Sequence, residues 1–277
     1  MGNRQKMSMK KEDFDNLFDD KGFPADLADR KFQAIPIVSG DDDTVEQVNL
    51  PEILPILTLR NSVLFPGAIT PITVGREKSI ALVRAVNAGD GLLGAVLQRN
   101  PEIETPTPDD MHRVGTAARI LKILEMPNGN LTVILSGLEK IEVGEYISTE
   151  PFFKATVTTL LDSAPDKNNP EFNALVEAVR DSALRIISIS PTMPKEASFS
   201  IKIIDSHRGT INFICSNLDF SDYDRQALLE APGLLARSRK LRYRNHFLGM
   251  LAQSVHSLGN HAHFPLCSLI CRRKEQA

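Results

Sequence analysis

The chain has 277 residues, 42% of them hydrophobic and 24% charged, which suits one large globular domain or two small ones and excludes collagen-like, mucin-like and wholly disordered chains. A net charge of −3 and a pI near 6.1 argue against a nucleic-acid binder that works through bulk positive charge. Three cysteines are too few to staple a secreted fold, so a reducing compartment is expected.

Residues 1–49 read as a disordered acidic N-terminal tail. Met1–Lys10 has no apolar core of a signal peptide. Acids are dense (Asp13, Asp15, Asp19, Asp20, Asp26, Asp29, Asp41, Asp42, Asp43), and apolar residues are sparse apart from a short helical possibility at Phe14–Phe18. No apolar run in the chain reaches the roughly 18–20 residues that span a bilayer, so a soluble, cytoplasmic protein is expected.

Residues 50–163 read as strand-rich. Ile53–Leu59 is an apolar run, and Phe65-Pro66-Gly67 marks a turn. Ile69–Val74 is β-branched, but Pro71 inside it predicts an edge or a bulge. Glu77–Asn87 carries Ile80, Leu82, Val83 and Val86 at helical spacing and stops at Gly89. Gly91–Leu97 has the look of a buried strand. Val114–Glu125 and Leu131–Ser136 flank Pro127-Asn128-Gly129-Asn130, and Asn-Gly between apolar runs predicts a hairpin whose two turn residues both take positive φ. Leu138–Tyr146 and Phe152–Leu160 read as two further strands.

Residues 164–236 switch to helical period. Phe172, Leu175, Val176, Val179, Ala183, Ile186 and Ile187 form one stripe. Pro194 suits the first turn of a second helix. Ile211, Ile214, Cys215 and Leu218 form a third stripe, and Ser221-Asp222-Tyr223-Asp224 resembles a capped start to a helix through Glu230. Residues 237–277 then change character. From Ala231 onward there are eight Lys/Arg and one acid, Glu275, together with His246, His256, His261, His263, Cys267 and Cys271. The last 41 residues read as a disordered, basic His/Cys-containing tail.

Catalytic signatures are missing. The chain has no G-x-x-x-x-G-K-[ST], no G-x-G-x-x-G after a strand, no H-E-x-x-H and no G-x-S-x-G. His261, His263, Cys267 and Cys271 have the residue types of a zinc site but not its usual spacing. His112 and His207 are isolated and read as surface or helix-boundary residues. Cys215, on an apolar stripe, reads as core. Glu102/Glu104 and Asp109/Asp110, in a Pro-rich loop, read as solvated charge. No catalytic, cofactor-binding or metal-ligating residue is expected, and no cofactor.

The most informative stretches are Leu54-Pro-Ile-Leu-Thr-Leu-Arg-Asn-Ser-Val-Leu-Phe-Pro-Gly67 and Pro71-Ile-Thr-Val-Gly-Arg-Glu-Lys-Ser-Ile80. They are followed by Val114-Gly-Thr-Ala-Ala-Arg-Ile-Leu-Lys-Ile123, Met126-Pro-Asn-Gly-Asn-Leu-Thr-Val133, Leu138-Glu-Lys-Ile141 and Gln226-Ala-Leu-Leu-Glu-Ala-Pro-Gly-Leu-Leu-Ala236. In this order they resemble the N-terminal domain of the Lon family of ATP-dependent serine proteases, over residues 50–239. The resemblance implies an α+β fold, with a PUA-like β-rich subdomain followed by a helical one.

It also implies a role in substrate recognition and assembly for the breakdown of misfolded and short-lived regulatory proteins. The partners implied are unfolded or damaged polypeptides and, in the full-length family, Lon-type subunits of a homohexamer. No nucleic acid or membrane is favoured. The full-length family is an ATP-dependent serine endopeptidase with a Ser-Lys dyad, whereas this chain by itself is expected to be no enzyme, truncated before the AAA+ module. The family continues as a long charged helix where Ser238–Leu241 stands here, so a change of reading frame or exon is expected near that point. An alternative is a free-standing module of the same type, an adaptor for protein or, less readily, RNA; a weaker one is a metal-binding regulator acting through the C-terminal His/Cys cluster.

Overall fold

The computed structural model describes residues 35–36, 49–166, 168–189 and 196–244. The chain order is β1 (Ile35–Pro36), β2 (Ile53–Leu59), β3 (Ala68–Val74), α1 (Glu77–Asn87), β4 (Leu92–Leu97), a 3-10 turn at Pro108–Asp110, β5 (Val114–Glu125), β6 (Leu131–Ser148) and β7 (Lys154–Thr159). Helices α2 (Pro170–Ile189), α3 (Glu196–Ile203), α4 (His207–Asn217) and α5 (Asp222–Leu229) follow. A last helix, α6, spans 234–244.

The seven strands form one sheet in the order β1-β3-β6-β5-β4-β2-β7, and β7 also pairs with β6, so the sheet closes into a ring. All ladders are antiparallel except β2–β4. A parallel pair needs a crossover, and β3 with α1 lies between these two strands. The period-2 alternation of side chains sorts β2, β4 and β5 between two cores, and β6 passes from one core to the other along its length. Leu54, Ile56, Leu92, Val96, Ala117, Ile141, Val143 and Ala155, drawn from all five strands of the ring, fill its inside. Leu57, Leu59, Leu93, Ala95, Leu97, Ala118, Val133 and Leu135 face outward into a second cluster shared with the helices. Strand β4 is therefore buried at all six positions.

Several elements differ from their sequence-based expectation. Leu131–Ser136 and Leu138–Tyr146, read as two strands, are one 18-residue strand. Gly137 does not break it. A Cβ there would lie 2.3 Å from the Phe65 carbonyl oxygen, so the glycine admits the Phe65-Pro66-Gly67 turn, and the Gly67 N–H donates to the Gly137 carbonyl at 2.9 Å. The β5–β6 hairpin forms as expected, but in its turn only Gly129 has positive φ (81°), and among the described residues none other than glycine does. Pro127 fixes its own φ negative, so the loop is three residues closed by Gly129 N–H to Met126 O and Met126 N–H to Asn130 O, each 2.9 Å. Pro71 lies in β3 opposite Ile134 of β6. On its other edge, β3 pairs with β1 at Ile69 and Ala68 alone among the described residues. Ile35 and Pro36 thus form a strand inside the segment read as a tail without structure.

The helices follow their apolar stripes. The buried residues of α2 are Phe172, Leu175, Val176, Val179, Ala183, Ile186 and Ile187. The Asn169 side chain accepts from Phe172 N–H, Ser206 from Gly209 N–H and Ser221 from Asp224 N–H, which caps α2, α4 and α5. Pro194 lies outside the described residues. The boundary expected at residue 236 falls inside α6, where Arg237 and Leu241 are fully buried. Phe65, Val179, Ile211, Leu234 and Leu241 belong to the same cluster as the outward face of the ring, so ring and helices share one core.

Candidate functional site

Several of the residues singled out in the sequence have structural partners. His112 precedes β5 and is a contact between ring and helices, not a surface residue: its Nδ1 lies 3.3 Å from Glu230 Oε1. Gln226 Nε2 donates to the same oxygen at 2.8 Å and to Val114 O at 2.9 Å. Burial holds the His112 pKa below the ordinary imidazole value, the nearby Glu230 carboxylate opposes this, and Arg99 adds to it. His207 opens α4, with its ring edge-on to Phe172 at 5.5 Å. Cys215 is fully buried and its thiol is pushed up to about 12, which leaves it unreactive.

In the Pro-rich loop, Glu104 pairs with Arg60 at 3.0 Å. Asp110 is a cap, not free charge: Thr107 N–H and Oγ1–H donate to it at 2.7 and 2.8 Å, and these bonds hold its pKa down. Among the described residues no three His, Cys, Asp or Glu side chains gather in a way that would hold a metal ion. His261, His263, Cys267 and Cys271 lie outside the described residues.

The polar centre of the molecule is one that sequence reasoning missed. Asp162, in the segment joining β7 to α2, is buried with its carboxylate facing three cations. Arg237 of α6 grips it in a fork, Nη1 to Oδ2 at 2.6 Å and Nη2 to Oδ1 at 3.0 Å. Lys140 of β6 lies 3.5 Å from Oδ1 and donates to Ala231 O at 3.0 Å. Arg208 of α4 lies 3.5 Å from Oδ2 and donates to the Asp162 carbonyl at 2.8 Å. Arg237 also donates to Leu228 O at 2.9 Å and to Asn212 Oδ1 at 2.7 Å, and Asn212 Nδ2 donates to Pro66 O at 3.0 Å. Burial lowers the Lys140 pKa, and Asp162 opposes that shift. Burial raises the pKa of the neighbouring Glu139 carboxyl. Every one of these ties is internal, so the centre has no free donor set facing solvent.

The surface carries the other candidate. Helix α3 buries Ala197 and Ile201 against the core and turns Phe199 (66% exposed) and Ile203 (42% exposed) outward. Residues four apart on a helix are neighbours, so these two side chains make one apolar step beside exposed Lys202. Two further exposed apolar side chains, Leu121 and Met126, lie separately on the β5–β6 hairpin. Single exposed apolar side chains are ordinary, but adjacent large ones on one face mark a contact surface.

A family model described as the ATP-dependent protease La (LON) substrate-binding domain matches residues 53–243. The chain belongs to this family. Among curated proteins, the Lon protease of Flavobacterium johnsoniae is 45% identical over 221 residues, covering 78% of this chain and 27% of the relative. The Lon protease of Cytophaga hutchinsonii is 38% identical over 205 residues, covering 74% of this chain and 25% of the relative. The N-terminal domain of the Mycobacterium avium complex Lon protease has a similar fold, with TM-score 0.55 and 17% identity, covering 70% of this chain and 98% of that one. The chain thus spans about a quarter of the length of the curated Lon proteases that it matches, and the matched part is the Lon substrate-binding domain. Both the match, to 243, and helix α6, to 244, run past Ser238–Leu241, where departure from the Lon pattern was expected.

Proposed function

We propose that this domain captures non-native polypeptide for ATP-dependent proteolysis of misfolded and short-lived regulatory proteins, and that it does so through the Phe199–Ile203 face of α3. The observation that carries the reading is an outward pair of large apolar side chains on a domain of the Lon substrate-binding family. Unfolded chains differ from folded ones in offering apolar side chains, and an apolar step on a helix offers matching area with little charge to attract folded, polar surfaces. In this reading the capture takes place in the cytoplasm, and Lon-type subunits in a homohexamer are the assembly partners. ATP hydrolysis and peptide cleavage are then the work of the rest of the Lon protein, with the described residues supplying recognition.

One domain copy lacks the avidity of a ring of linked copies, so its affinity is expected to be weak, about tens of micromolar. The test is titration of a reduced, unfolded model protein and its folded form at low and high salt. Binding of the unfolded form alone is expected, little changed by salt because the contact is not ionic. A Phe199→Asp/Ile203→Asp double variant is expected to weaken it at least tenfold. Equal affinity for both forms, or loss of binding at moderate salt, would favour an adaptor for folded partners instead.

A further inference from the structure

We infer that Asp162 is a latch that locks α6, the helix on which the chain leaves the described domain, to the β-ring. The carboxylate lies on the connecting segment between ring and helices, and the cations that meet it come from three separate elements: Lys140 from β6, Arg208 from α4 and Arg237 from α6. Arg237 is the only buried cation of α6, and it makes bonds to Asp162, Asn212 and the Leu228 and Leu229 carbonyls. Asn212 passes the tie to the Pro66 carbonyl of the β2–β3 connection. The backbone adds one link at the same place, Leu234 N–H to Ser163 O at 2.9 Å.

The apolar hold on α6 rests on few large side chains, chiefly Leu234 and Leu241. Ser238, also buried, has no partner for its hydroxyl among the described residues. Three like charges around one carboxylate make the arrangement directional. With the carboxylate neutralised, Lys140, Arg208 and Arg237 repel one another in a buried place, and the elements that carry them are driven apart. Each element keeps its own backbone bonds, so the change is a loss of docking and not of secondary structure. The latch fixes the direction of α6 on the domain, whichever polypeptide the α3 face captures.

The test is hydrogen–deuterium exchange on the full chain carrying Asp162→Asn. Amides of 234–241 are expected to exchange at least tenfold faster than in the parent, while those of β4 and of Val114–Ile120 keep their rates. Unchanged protection of 234–241 would overturn the latch, and so would an equal rise through ring and helices, which would make the cluster a general stabiliser. Should Asp162→Asn fail to fold, the double variant Asp162→Asn/Arg237→Met removes both the carboxylate and its closest cation. It is expected to fold with α6 still exposed to exchange. Parental protection of α6 in that variant would mean that packing, not the ion pair, holds the helix, and the inference would fall.

Discussion

At the scale of single residues, His112 turns burial into a pH response. Its folded-state pKa lies below the 6.5 of a free imidazole, because the half-buried ring is harder to charge than one in water. A group of this kind contributes its stability in full above the unfolded pKa and loses it as pH falls through 6.5 towards the folded value, since the unfolded chain then takes up the proton first. The unfolding free energy measured by urea titration is therefore expected to fall as the pH drops below the ordinary imidazole value of 6.5. His112→Gln is expected to flatten that slope. An unaltered slope in the variant would assign the response to other groups. Arg237 teaches a related lesson. In the sequence it opens a Lys/Arg-rich stretch that reads as a solvated tail, yet it is fully buried. Helical spacing puts it on the buried face of Leu234 and Leu241, unlike Arg239, whose pairing with Glu171 is exposed, but that face alone gives a buried charge no partner. The partner is a carboxylate 75 residues away, and no spacing rule reaches that far.

At the scale of elements, the close approach at Gly137 joins the β2–β3 turn to the middle of β6. Gly137→Ala puts a methyl against the Phe65 carbonyl, which is backbone and cannot swing aside. A loss of about 1–3 kcal/mol is expected from chemical denaturation, and a change within error would mean that the turn shifts freely. The stripe of α2 and the bounds of β2, α1 and β5 were legible because the apolar period by itself fixes which face is buried. Strand β6 was not legible, since a glycine inside an apolar run looks the same whether it ends a strand or admits a neighbour. The outward apolar step of α3 was equally hidden. Phe199 and Ile203 fit a core stripe as well as a surface one, and only the packed positions of Ala197 and Ile201 decide between them.

For the whole molecule, ring and helices were expected as two subdomains meeting near residue 163. The outward face of the ring and the apolar faces of the helices belong to one cluster, so neither can open without exposing the other. A single cooperative transition is expected in denaturant, with coincident midpoints by circular dichroism and by exchange protection of β5 and α2. Two separated transitions would show that the shared core is too thin to couple them. The closed ring has a further consequence, for the company the protein keeps at high concentration. Sheets grow by adding strands at their margins, and here β2, β4, β5 and β7 each have a partner on both sides. Among the described residues the remaining margin is at β3 and β1, where β1 covers one end of β3 and Pro71 offers no N–H to a newcomer. In the proposed role of capturing unfolded chains, this closure guards the domain against being drawn into their fibrils strand by strand.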